Sequence, residues 1–149
     1  MKKQLLILCI AFFLVTSMNA QGLLSKSNVV FTRQDTLRGS ITKERIWWDV
    51  KNYHLDIKVN PLDSTITGSN TIQYKVLNEY NKMQIDLQNP MEIYKVIQDG
   101  VALKYTREGN AFFIELVASQ KIGQTKELIV FYGGKPKIAV RPPWDGGIT

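Results

Sequence analysis

The chain has 149 residues, 44% of them hydrophobic and 21% charged, with a formal net charge of +6. Those proportions belong to an ordinary globular protein and exclude a disordered one. The basic residues stand singly between apolar ones, without the clustered arginines of a nucleic-acid footprint, so no nucleic-acid partner is expected.

Lys2 and Lys3 precede an apolar run from Leu5 to Val15, and small or polar residues follow at Ser17-Met18-Asn19-Ala20. That is the pattern of a secretory signal. It predicts a leader over residues 1–20, cleavage between Ala20 and Gln21, and export to the periplasm or the exterior. The run is shorter than the roughly 20 residues a membrane helix needs, and no second one follows, so no membrane span is expected. The single cysteine, Cys9, lies inside the leader, which leaves the exported part without a disulfide or a thiol. About 130 residues remain, enough for one domain with its own core.

Residues 21–46 carry no clear period and read as a lead-in arm. From 47 to 134 the period is that of strands. Tyr53, Leu55, Ile57 and Val59 alternate with His54, Asp56 and Lys58, which predicts one buried and one wet face. Asn60-Pro61-Leu62-Asp63-Ser64 is a turn cluster. Ile66, Ile72, Tyr74 and Val76 share the next face, with Gly68 and Asn70 predicting a bend or bulge.

Met83, Ile85 and Leu87 alternate with Lys82, Gln84 and Asp86, and Asn89-Pro90 closes that strand. Asp99-Gly100, flanked by Met91 to Gln98 and by Val101, Leu103 and Tyr105, is a strong hairpin signal. Ala111 to Val117 forms the next strand. The nearly continuous apolar run from Glu127 to Tyr132 predicts a central strand. About seven or more strands at this spacing indicate an all-β antiparallel sandwich or open barrel. Residues 135–149 are rich in glycine and proline and read as a loop leading away from the domain.

The search for chemistry gives little. His54 is the only histidine, so zinc ligation by a His/Cys set is out of reach, and its place on the polar face marks a surface residue. There is no Gly-x-Ser-x-Gly turn, no His-Glu-x-x-His helix, no calcium loop and no dinucleotide fingerprint. Gly133-Gly134-Lys135 lacks the upstream glycine and the Ser/Thr of a phosphate loop. Asp56, Asp86 and Glu115 alternate with apolar residues, as solvated positions do. Trp47-Trp48 and Phe112-Phe113 are adjacent pairs, so on a strand only one of each would serve a given surface, and core and interdomain packing is their expected role.

A resemblance enters through ordered short motifs. Trp48-Asp49-Val50-Lys51-Asn52-Tyr53-His54-Leu55-Asp56-Ile57, Ile66-Thr67-Gly68-Ser69-Asn70 and Met83-Gln84-Ile85-Asp86-Leu87 are followed by Phe131-Tyr132-Gly133-Gly134-Lys135-Pro136 and Pro142-Pro143-Trp144-Asp145-Gly146-Gly147. From about Asp35 onward the chain resembles the N-terminal domain of secreted bacterial M1-family zinc aminopeptidases.

The resemblance implies a saddle-like N-terminal β-sandwich packed on a catalytic domain of the same polypeptide. There, zinc would be held by His-Glu-x-x-His and a later Glu, with Gly-x-Met-Glu-Asn gripping the amine of a peptide substrate. Neither motif occurs in this sequence. The expectation is therefore a non-catalytic piece of such an enzyme, with no catalytic, metal or substrate residue of its own. Zinc would belong to the missing catalytic domain, towards which residues 135–149 lead, and Trp47 and Trp144 are candidates for packing between domains. A free-standing secreted sandwich that binds peptide, protein or glycan is the alternative, since fold does not fix function.

Overall fold

The computed structural model describes residues 30–142, so the leader, the Ala20–Gln21 cleavage site and Trp144 lie outside the described residues. All the elements below belong to the compact unit Arg33–Thr149. Two short helices, α1 (Arg33–Gly39) and α2 (Lys43–Ile46), precede eight strands. The strands are β1 (Trp48–Asn60), β2 (Thr65–Val76), β3 (Lys82–Asp86), β4 (Glu92–Gln98), β5 (Val101–Ala102), β6 (Lys104–Glu108), β7 (Ala111–Glu115) and β8 (Thr125–Gly134).

They form a five-stranded sheet in the order β1-β2-β8-β4-β5 and a three-stranded sheet in the order β3-β7-β6. All pairings are antiparallel. The core lies between the sheets: Ile72, Tyr74 and Val76 of β2, Leu128 and Val130 of β8, and Ile93 and Val96 of β4 meet Met83, Phe112 and Ile114. Of the sandwich or open barrel that the strand periodicity allows, the all-β sandwich, which the resemblance also implies, is the fold observed.

The local signals explain most of the turns. Asp99 and Gly100 both take positive φ, 49° and 79°, as a two-residue hairpin turn requires, and Ile97↔Ala102 and Gln98↔Val101 close the ladder beside it. The Asp63 carboxylate accepts from both the amide and the hydroxyl of Thr65, which fixes the β1–β2 turn and holds that carboxyl below its usual range. β8 is the third of five strands, as its apolar run predicts.

Four features differ from expectation. Residues 33–46 of the expected arm hold both helices, and Leu37 of α1 is buried. Arg45 and Gln84 each donate to the Leu37 carbonyl, at 2.8 and 2.9 Å, tying α1 to α2 and β3. The run from Val101 to Tyr105 is not one strand: the chain changes sheets at buried Leu103, so β5 pairs with β4 and β6 with β7. β2 runs unbroken through Gly68 and Asn70, and the irregularity sits on its partner, between Val50 and Asn52 of β1.

The fourth difference is the largest. Tyr53, Leu55, Ile57 and Val59, expected to be buried, are 49–60% exposed. Their alternation is intact, but no second layer among the described residues lies over them.

Candidate functional site

The exposed residues are the continuation of the core face. Through the strand register Tyr53 stands beside Ile72, Leu55 beside Asn70, Ile57 beside Gly68 and Val59 beside Ile66. On the next strand Ile72, Asn70 and Gly68 face Leu128, Val130 and Tyr132. Side chains directly opposite one another in a sheet lie on the same side. Tyr53, Leu55, Ile57 and Val59 therefore lie on the side that holds buried Ile72, Leu128 and Val130. The irregularity at Val50–Asn52 keeps this order. Trp48 and Val50 face inward before it and Tyr53 after it, so the parity of the apolar positions changes while their side does not.

The small sheet covers only one end of this surface. Where the cover stops, an open cleft of about 720 Å³ runs between the sheets, lined by Trp48, Val50, Tyr53, Leu55, Ile85 and Tyr132 among others. At its rim Arg45 of α2 forms an ion pair with Asp86 of β3. What the cleft offers is apolar area beside a few polar groups, suited to burying a surface.

Sequence-level candidates fall on both sides of that boundary. Trp47, expected in interdomain packing, is 1% exposed and sits in the core instead. It is the residue that caps α2, ahead of β1, so the rule that neighbours on a strand point apart does not apply to it. Its ring meets Tyr74 edge-on at 5.8 Å, and its indole nitrogen donates to the Lys82 carbonyl at 2.9 Å. Trp48 packs on the same Tyr74 at 5.9 Å. His54 is exposed on β1, opposite Thr71.

Sequence reasoning missed Gln98, which is buried and donates to the Tyr74 hydroxyl at 2.7 Å. Burial raises the Tyr74 hydroxyl above its usual value, the Gln98 hydrogen bond lowers it and the Asp99 charge raises it again. A polar residue directly before the Asp99-Gly100 turn gave no signal of burial.

The zinc implied by the resemblance finds no fit among the described residues. Among the described residues no three His, Cys, Asp or Glu side chains gather within reach of one ion. His54 projects from β1 opposite Thr71, in one row with Asp56. No step of chemistry is assigned to these residues. Among the described residues no helix is long and apolar enough to cross a membrane.

Comparison with known proteins places the fold. No protein-family model matches the sequence, and no curated protein matches it. An M1 zinc metallopeptidase from Deinococcus radiodurans superposes with a TM-score of 0.59 at 16% identity, over 71% of this chain and 25% of that one. A mutant of an M1 zinc metallopeptidase from the same organism, bound to a Tyr-Ser-Ala substrate, gives 0.58 at 18% identity, over 68% and 24%. Native yeast LTA4 hydrolase gives 0.51 at 20% identity, over 60% and 15%. The chain thus shares its sandwich fold with M1 zinc metallopeptidases and spans about a quarter of the length of the Deinococcus structures.

Proposed function

We propose that this chain is the non-catalytic N-terminal β-sandwich of an exported zinc metallo-aminopeptidase. In this reading it seats and partly covers the peptide-cleaving domain of the same polypeptide. The observation that carries the reading is the match in fold to M1 zinc metallopeptidases, which takes in most of this chain but only a quarter of theirs. The open inner face of β1 and β2 adds to it. A surface of Tyr53, Leu55, Ile57 and Val59 beside an apolar cleft is what a domain shows where another part of an enzyme rests on it.

Under this reading the peptide substrates and the zinc belong to the enzyme as a whole. Zinc would supply an activated water for hydrolysis of N-terminal residues. This chain would limit which peptides reach it and would carry no reacting group. Residues 1–20 would direct export and be removed after Ala20, residues 47–134 would form the domain, and residues 135–149 would lead on towards the catalytic part.

The test is an immunoblot of source-cell extract with an antibody raised to this domain. The same antibody then captures the product for assays of zinc and aminopeptidase activity. A product far heavier than 17.0 kDa that brings down both is expected. A stable product at or just below that mass, with neither, would overturn the reading in favour of a free-standing binding module.

A further inference from the structure

The two sheets have four edges, and three of them are short. β5 has two residues, and β3 and β6 have five each, with charged residues at their ends. β1 is different. It has 13 residues, its only neighbour among the described residues is β2, and its inward row Tyr53, Leu55, Ile57 and Val59 carries no charge. Proteins blunt exposed edges by keeping them short, by pointing charges inward or by covering them, because a free ladder of N–H and C=O groups accepts another strand. Beyond its irregularity at Val50–Asn52 and the charges of its outer row, the edge of β1 shows none of these devices among the described residues.

The outer row of the same strand says which strand would fit. His54, Asp56 and Lys58 lie opposite Thr71, Ser69 and Thr67 of β2, all uncharged. Neither Asp56 nor Lys58 takes part in an ion pair among the described residues. A partner strand should therefore place a cation beside Asp56, an anion beside Lys58 and apolar residues beside Leu55, Ile57 and Val59.

β1 itself meets that description when turned round. We infer that the free edge of β1 pairs antiparallel with β1 of a second copy, about a twofold axis at Ile57. Ile57 then stands opposite its own counterpart, Leu55 opposite Val59 and His54 opposite Asn60. Asp56 stands opposite Lys58, twice over by symmetry. An axis at Asp56 or at Lys58 would set like charges face to face, which is destabilising between directly opposed residues. An axis at Leu55 would put Lys58 opposite Asn52, without an acidic neighbour, and would draw the Val50–Asn52 irregularity into the ladder.

The contact is isologous and closed, so it gives a dimer and no fibre. It joins the large sheets into one of ten strands and sets the two open inner faces side by side. The pairing uses the edge of the sheet and leaves the face uncovered, so it does not depend on the function proposed above.

Sedimentation velocity of the full chain, in reductant because of Cys9 and over a range of concentrations, tests the inference. The expected species has twice the 17.0 kDa chain mass. Asp56→Lys alone and Lys58→Asp alone should each weaken the dimer about tenfold or more, since two attractive pairs become repulsive. Both positions are exposed, and circular dichroism should be unchanged. Mixing the two single variants in equal amounts should restore a dimer of one copy of each, and the double variant should dimerise like the parent. A monomer at every concentration overturns the inference, as does a dimer indifferent to both substitutions. Failure of the mixed variants to re-form a dimer overturns it too.

Discussion

The β1–β2 hairpin offers its own comparison. In its first half Trp48 and Val50 stand opposite Val76 and Tyr74, against the core. In its second half Leu55, Ile57 and Val59 stand opposite Asn70, Gly68 and Ile66 and are exposed. Both halves have the apolar alternation of a half-buried strand, and both belong to the same ladder. The difference is the length of the opposing layer. Five-residue strands such as β3 and β7 reach about 17 Å, whereas the 13 residues of β1 reach about 43 Å. Alternation records which side of a strand is meant to be covered. How far the cover extends depends on the other sheet.

Truncation should separate the halves most sharply. Tyr74→Ala, in the covered half, should lower unfolding free energy by about 3–5 kcal/mol, as for other large buried rings, measured by urea denaturation. Next in size is Gly68→Ala. A Cβ there would stand 2.0 Å from the Asp56 carbonyl oxygen, on the neighbouring strand. Forcing the backbones apart should cost about 1–3 kcal/mol. The open half would then be held by close strand approach more than by side-chain burial.

A pH titration probes the covered half by another route. Burial raises the Tyr74 hydroxyl above its usual value, so the folded state favours the neutral ring. The associated stability is fully present below about pH 10, the ordinary tyrosine value, and is lost as pH rises through the higher folded value. The urea midpoint should fall on that side, and Tyr74→Phe should flatten the fall.

Leu55→Ala should be nearly silent in the isolated chain, within about 0.5 kcal/mol. A loss as large as that of Tyr74→Ala would mean the second half is covered in solution and would break the comparison. The smallest effect concerns α1, where Arg33 donates to Glu108 at 3.0 Å through two nitrogens. That hydrogen bond holds the Glu108 carboxyl below its usual value. Its contribution is present above about pH 4.3 and is lost as pH falls through the lower folded value. Amide exchange in α1 should quicken there, with little change in global stability, because the pair is exposed.

Individual residues show how much was readable in advance. Asp99-Gly100 announced its turn because few residue pairs tolerate two successive positive φ angles, and the β8 run announced a central strand because no polar residue interrupts its apolar core. The helices at 33–46 were not legible. α2 has only four residues, too few for a period, and what fixes the segment is Arg45 reaching Leu37 and Asp86. Trp47 lies in the core because a single turn of helix places it ahead of β1, and a segment that short leaves no period to show it. The change of sheets at Leu103 left the alternation of Val101, Leu103 and Tyr105 intact, so nothing in the pattern marked it.

The open face was half legible. Its residues were identified as one row, because side-chain direction along a strand is a local property with a fixed period. Their exposure was not, because burial needs a second surface, and the extent of that surface is set by distant strands. By itself the sequence determined an antiparallel all-β domain, a sandwich or an open barrel, with its principal turns and without a zinc-binding motif. Only the tertiary structure decided the sheet order, the seat of Trp47 and which stretch of an apolar strand stays open to another surface. Those depend on contacts between residues far apart in the chain, which no local pattern encodes.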